Sequence, residues 1–543
     1  VTDNQIRNIG RDGQTQGVAV SLERLSGDST GDGAVVRNNT IVDIGTLDRT
    51  RPGTGVALRP NFNGTDSAAE VADNSFSELD IAVTHPRDDT ADVDLSNLST
   101  VVVSPDGTEQ RIFTPTIQTA VDAAEPGDTI EVGSGTFAES VTIDVRNVTI
   151  RPVEGATPTI VGDGVTSGSQ PHAVFHVDDS SGPVQNVTIE GFTIRNPDGK
   201  FGIFAGTGTT NSNNDGIGGL VIQDNVVRDV STNSSGSALT GGPAGIGIRG
   251  DYGTDGNPGI EIRNNEIDNV ENLDGGPEPV GITLKSFTGD AGFGFNSSGN
   301  GVTDPSSPPA TDTDILDNEI SNISSTGGFA TKGISVSGEF EDVDIINNRL
   351  ETIDSPGGDA RAITLSENGG SYSGNKYDID DDGNGERIGP QDFEISNNTI
   401  SDVNAADSRS VNIGGYEQLD PHSVSQNTIN DGTVARFAGE QPGFQPGDGN
   451  ALNLSGNNFT NPDAEVYVSD PTESANLSVV SQTNEFATPP VEVVRDGTRV
   501  LAPGTATRVE NLDQGTGFTS IQAAVNNANP GDTIEVGTGT FNE

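Results

Sequence analysis

The stretch "IEIRNNEIDNV", residues 260–270, decides the fold. Ile260 and Ile262 alternate with charged residues, as in a strand with one buried face. Asn264 and Asn265 interrupt the alternation, and Ile267 and Val270 resume an apolar pattern. The stretch reads as strand, sharp corner, strand, with Ile260, Ile262, Ile267 and Val270 turned to a shared interior. Asn suits the corner because it tolerates left-handed backbone and bonds to nearby peptide groups.

The same phrase returns along the chain: Asn, any residue, then an aliphatic residue or Phe. It occurs at Asn4, Asn39, Asn74, Asn225, Asn265, Asn318, Asn348, Asn398, Asn427 and Asn457. Neighbouring copies lie 29 to 53 residues apart, except across the long gap from Asn74 to Asn225. Self-similarity with insertions of variable length marks a solenoid. Stacked coils place parallel strands about 4.8 Å apart, so the corner asparagines can bond amide to amide from coil to coil. The residues and spacings resemble the repeats of right-handed parallel β-helix proteins, the pectin-lyase-like folds. The resemblance implies an all-β, right-handed parallel β-helix solenoid and says little about function.

A second phrase occurs twice: "GDTIEVGSGTF" at 127–137 and "GDTIEVGTGTF" at 531–541. Before the first, Ile117, Ala120, Val121 and Ala124 follow helical spacing. Before the second, Ile521, Ala524, Val525 and Ala528 do the same. Thr114 and Pro115 suit the start of the first helix, and Pro126 and Gly127 its end. A short helix near 115–125 is therefore expected to cap the open end of a coil stack, covering apolar side chains and strand edges. The segment is similar to the N-terminal cap and first coil of secreted β-helix proteins, pectin methylesterases among them. The expected division is the C-terminal part of one β-helix module at 1–97, a complete module at 98–496 and the start of the next at 497–543. A chain that opens "VTDNQIRNIG" reads as a mature fragment or an excerpt of a longer tandem array.

Composition narrows the function classes. The chain has 543 residues, 81 Asp plus Glu against 27 Lys plus Arg, and a net charge of −54. The only lysines are Lys200, Lys285, Lys332 and Lys376. High acidity with little lysine, spread through well-patterned apolar segments, points to a folded protein in molar salt, where the Debye length falls to about 3 Å. This resembles the composition of halophilic archaeal proteins. The charge argues against nucleic acid as a partner. Cys is absent, which excludes disulfide and thiolate chemistry. No apolar run is long enough to span a membrane as a helix. An extracellular or cell-surface location is expected.

Four chemistries have candidate residues. "DIDDDGNGE" at 378–386 offers calcium ligands at Asp378, Asp380, Asp382, Asn384 and Glu386, with Gly383 at the turn, as in an EF-hand-type loop. Position twelve departs from that motif, because Gly389 stands where a bidentate Glu belongs. Asn-x-Ser/Thr sequons expected to carry glycans are Asn38, Asn63, Asn97, Asn186, Asn233, Asn296, Asn322, Asn397, Asn453 and Asn476. Asn147 is expected to be buried in a strand-like run. For polysaccharide catalysis the best local cluster is His172, His176, Asp178 and Asp179, with Arg195 and Lys200 about one coil later. Two half-exposed histidines beside a solvated acidic turn explain those residues more simply. The motifs of polygalacturonases, pectate lyases and pectin methylesterases are absent. For sugar stacking, only Tyr372 and Tyr377 near the acidic loop stand out, and a −54 surface is expected to repel an anionic polysaccharide unless calcium bridges it. The preferred expectation is an extracellular structural rod that associates with itself, forming a fibre, filament or adhesin-like stalk. The alternatives are a secreted polysaccharide lyase or hydrolase, or a β-helix that binds surface glycans without catalysis.

Overall fold

The computed structural model describes residues 2–9, 18–22, 35–44, 54–58, 70–72, 74–77, 81–86, 100–103, 110–114, 116–163, 172–179, 184–206, 217–232, 242–250, 259–272, 278–286, 312–327, 329–337, 340–366, 390–414, 422–430, 435–438, 452–460, 465–469, 485–486, 492–495, 498–500, 509–511, 513, 516–518 and 521–536. They form an all-β parallel solenoid. Each coil contributes three strands in turn, and each strand pairs in parallel with its counterpart one coil on. The first face runs from Thr129–Val132 to Leu452–Ser455, the second from Gly135–Ala138 to Glu485–Phe486, and the third from Val141–Ile143 to Glu492–Arg495.

Like stacks on like inside. On the first face the inward column is Ile130, Ile150, Ile189, Ile222, Ile262, Ile315, Ile345, Ile395 and Val424. A second-face column runs through Ile160, Ile194, Val227, Ile267, Ile320, Leu350, Ile400, Ile429 and Phe459. These side chains are fully buried. β-Branched residues suit this role because their stiff rotamers repeat from coil to coil. Ile260, Ile262, Ile267 and Val270 share the interior as the opening stretch implied.

The corner divides two tasks that the sequence reading gave to one asparagine. The left-handed residue is the one before the ladder position: Asn38, Asp224, Asn264, Asp317, Asn347, Asn397 and Gln426 all have φ between 53° and 60°. The ladder asparagine that follows is buried. Asn318 shows the bonding. Its Oδ1 accepts from the backbone N–H and the amide of Asn265, both at 3.0 Å. Its own amide donates to Ile262 O at 2.9 Å and to Asn348 Oδ1 at 3.0 Å. The same pattern runs through Asn225, Asn265, Asn318, Asn348, Asn398, Asn427 and Asn457, and separately through Asn4, Asn39 and Asn74. In the gap, Phe192 takes the ladder position and donates its N–H to Asn225 Oδ1.

A short helix lies within the segment 115–125 where one was expected. The helix spans Ile117–Ala123 with Thr116 as N-cap, and the side chain of Thr116 accepts from the N–H of Thr119. The Glu139 carboxylate accepts from the N–H groups of Ile117 and Gln118, each at 3.0 Å. One acid from the first coil thus satisfies two helix-end donors, although burial still raises its pKa above the ordinary carboxylate value. Before the helix, Gln110–Thr114 pairs antiparallel with both Ile81–Pro86 and Thr100–Val103, and Thr100–Val103 pairs antiparallel with Thr129–Val132. One hydrogen-bonded sheet therefore continues from the coils before the cap into those after it. The second copy repeats the unit with the helix Ile521–Asn527 and antiparallel strands Val509–Asn511, Thr516–Phe518 and Ile534–Val536.

Coil length varies because insertions enter mainly at one corner, between the third face and the next first face. Residues 207–216, 251–258, 287–311, 367–389 and 415–421 all lie there in the chain order.

Candidate functional site

The outer surfaces of the first two faces behave as expected of a half-solvated sheet: Val187–Glu190 and Ile260–Arg263 alternate buried and half-buried. The third face does not. Ala173–Val177 and Phe201–Ala205 are buried at every position, on both sides of the sheet.

The register defines what that outer surface carries. Its leading edge is the column Ala173, Phe201, Ala244, Val280, Lys332, Arg361 and Arg409. Its centre is His176, Phe204, Gly247, Thr283, Ser335, Thr364 and Asn412. Its trailing edge holds Arg249 beside Lys285. The surface is apolar at one end, where Ala173, Phe201, Phe204, Ala244 and Val280 cluster, and it turns cationic and hydroxyl-rich over the following coils. Gly247 permits the apolar end: a Cβ there would lie 2.9 Å from the Phe201 ring, so any larger residue would displace it. A cavity of about 190 Å³ opens between these parts, lined by Phe201, Phe204, Val280, Arg249, Lys285 and Lys332.

The cations crowd one another. Burial, then Arg249 and Lys332, push the Lys285 ammonium down to about 8, with Glu278 opposing. Burial and Arg249 also lower Lys200. Lys332 pairs with Glu278 at 2.5 Å and Arg361 with Asp359 at 2.7 Å. Thr364 is 1 % exposed, and its hydroxyl makes no hydrogen bond; the Arg361 Nε is likewise buried and unbonded.

Acids gather elsewhere. Glu261, Asp314, Asp344 and Glu394 stack in register on the outside of the first face. Burial and the carboxylates of Asp314, Glu394, Asp342 and Asp392 raise Asp344 to about 6.

The residues considered for catalysis are only partly brought together. His176 lies in the third-face surface, but it is buried, its Nε2 is 2.9 Å from Gly206 O, and burial lowers its pKa. Arg195 faces away on the second face, where it pairs with Asp229 at 2.8 Å. His172 precedes its strand in left-handed backbone, and its carbonyl accepts from the Asn196 amide. The acidic segment 378–386, expected to bind calcium through Asp378, Asp380, Asp382, Asn384 and Glu386, lies outside the described residues, as do Tyr372 and Tyr377. Among the described residues no group of three acids or histidines is placed to hold a metal ion. Of the sequons, Asn38, Asn186, Asn322 and Asn397 are exposed at left-handed positions. Asn453 lies in the strand Leu452–Ser455, while Asn63, Asn97, Asn233, Asn296 and Asn476 lie outside the described residues. Asn147, expected to be buried, is exposed at φ 56°, where its Oδ1 accepts from the Asn186 amide at 2.8 Å.

The basic surface was missed by sequence reasoning. Two of the four lysines, Lys285 and Lys332, belong to it, and the scarcity of lysine in so acidic a chain was the available signal. Insertions of unequal length hid the shared register.

Fold and groove together define a parallel β-helix protein. No family model matches the sequence, and no curated protein matches it. Among solved structures, the crystal structure of PfbA, a surface adhesin of Streptococcus pneumoniae, matches with 15 % identity and a TM-score of 0.26, over 66 % of this chain and 89 % of that one. No helix among the described residues is long and apolar enough to cross a membrane.

Proposed function

We propose that this chain is part of an extracellular or cell-surface rod, a tandem β-helix that forms a fibre, filament or adhesin-like stalk in high salt, as the surface proteins of a salt-loving archaeon require. The observation that carries this reading is the sheet that passes without a break from Ile81–Pro86 through Gln110–Thr114 and Thr100–Val103 into Thr129–Val132. A cap that hydrogen-bonds backward as well as forward joins coil stacks end to end, where a cap that only terminated a stack would leave its outer edge charged or bulged. A polysaccharide lyase or hydrolase needs an acid–base pair within reach of its substrate; the histidine of the third face is instead bonded to a backbone carbonyl. Exposed sequon corners suit glycans on such a surface, and calcium at Asp378–Glu386 would stiffen an insertion; both rest on residue spacing.

Electron microscopy of native material in molar salt, with and without a calcium chelator, tests the reading. Continuous filaments or stalks with a β-helix repeat along the axis are expected, and fraying on chelation would add calcium to the scaffold. Isolated short rods, with release of unsaturated or reducing sugars from acidic polysaccharides, would replace the rod with the enzyme.

A further inference from the structure

We infer that the joint between the two coil stacks moves the core from one side of their shared sheet to the other, so that the stacks stand staggered and turn their remaining faces to opposite sides of that sheet.

The change of side is written in the register. Before the joint, Val18–Leu22, Thr54–Leu58 and Ile81–Pro86 are third-face strands, each following a second-face strand that opens after Asn4, Asn39 or Asn74. Val20 and Val56 stand in one buried column of that face, whereas Ser21, in register with Ala57 in the next column, is exposed. Val20 and Val56 therefore face the core of the preceding stack, and the column of Ser21 and Ala57 faces away from it. Residues directly opposite one another in paired strands lie on the same side of a sheet. The column of Val20 and Val56 continues through Val83, Phe113 and Val101 to Glu131. The column of Ser21 and Ala57 continues through Thr84, Ile112 and Val102 to Ile130. In the following stack Ile130 is fully buried, while Glu131 pairs with Arg151 on the half-exposed outside. The inner side of the sheet before the joint is thus its outer side after it.

Strand direction leads to the same result independently. From Ile81–Pro86 to Thr129–Val132 the sheet makes three antiparallel pairings in succession. An odd number reverses the strands, so the first face of the following stack runs opposite to the third face of the preceding one. Parallel crossovers are right-handed in about 98 % of cases. Two right-handed coils that advance the same way along one sheet, with strands running oppositely, need cores on opposite sides of it. The second copy of the cap phrase carries the same strand order, Thr516–Phe518, Val509–Asn511 and Ile534–Val536, again antiparallel throughout. A rod built on this joint is stepped and not straight. The first and second faces of the preceding stack look to one side of the joint sheet, and the second and third faces of the following stack look to the other. The step belongs to a single chain, so it stands or falls apart from any assembly into filaments.

Spin labels test it in the full chain, which has no cysteine of its own. Gln5, Thr136 and Glu319 are exposed positions on second faces, Gln5 in the preceding stack and the other two in the following one. Five strand steps separate Gln5 from Thr136 across the joint, and five separate Thr136 from Glu319 beyond it. Within one stack five steps span about 24 Å at ~4.8 Å each. Across the joint, two sheet spacings of ~10 Å add sideways, which makes the separation about 31 Å or more. The dipolar distance for Gln5→Cys with Thr136→Cys should therefore exceed that for Thr136→Cys with Glu319→Cys by about 7 Å or more, with the Tm of both chains unchanged. Equal distances would keep both cores on one side and overturn the inference. Cryo-electron microscopy of the unlabelled chain in molar KCl needs no substitution: a sideways step of about 10 Å between the two stack axes is expected, and one straight column overturns it. Stepped chains that form no filament would remove the rod and leave the joint standing, whereas straight filaments would keep the rod and remove the step.

Discussion

Asn318 uses every hydrogen-bonding position it has. Removing its side chain leaves the N–H and amide of Asn265 and the carbonyl of Ile262 without that partner inside the coil stack. Buried orphans cost about 1–3 kcal/mol each, so Asn318→Ala should destabilise the chain by about 3–5 kcal/mol, read as a shift of the urea midpoint. Thr313 is the opposite case. It interrupts the inward column between Ile260 and Val343, fully buried, and its hydroxyl has no hydrogen-bond partner. Thr313→Val keeps the shape and removes the orphan, so it should stabilise by about 1–2 kcal/mol in the same assay. The ladder could be read from the sequence because Asn recurs before an aliphatic residue whatever the coil length. The division of labour at the corner could not, since Asn264 and Asn265 are the same residue type. Only the fold shows that the first supplies left-handed backbone and the second the buried amide.

At the scale of the strand, charge is sorted by face. The first-face acids Glu261, Asp314, Asp344 and Glu394 stand one coil apart, with Asp312, Asp342 and Asp392 at the corner beside them. Asp344 has its folded pKa raised to about 6, by burial first and the neighbouring carboxylates after it. A carboxyl whose folded pKa exceeds its unfolded value favours the folded state while protonated, and that contribution is lost as pH rises from about 4 through 6. Asp344→Asn should therefore raise stability at pH 8 by at most about 1 kcal/mol, given solvent screening, and leave it unchanged below pH 4. Thermal melts of the two chains across that range read the difference. Alternation of apolar and polar residues announced these strands, and the helical spacing at Ile117, Ala120 and Val121 announced the helix Ile117–Ala123. The third-face groove escaped because it is made of register. Lys285 stands at the trailing edge opposite Ser337, whereas Lys332 stands at the leading edge opposite Val280, so no single spacing from the ladder asparagines links them.

For the whole molecule, self-repulsion governs the response to salt. Eighty-one acids against 27 bases spread over an elongated stack give every coil a like-charged neighbour, while the core of stacked Ile and Val that opposes the repulsion does not depend on ionic strength through charge. Raising salt from 0.1 M to 1 M shortens the Debye length from about 10 Å to about 3 Å, which removes repulsion between coils but spares contact pairs such as Lys332 with Glu278. Tm should therefore climb steadily in KCl, by about 1 °C for each kcal/mol of repulsion screened in a chain of this length, and the gain from Asp344→Asn should shrink as it climbs. Sulfate salts also strengthen apolar burial, so KCl is the discriminating choice: a Tm that stays flat in KCl but rises in sulfate would place the stability in the core alone and remove the physical reason for proposing that this chain works in high salt.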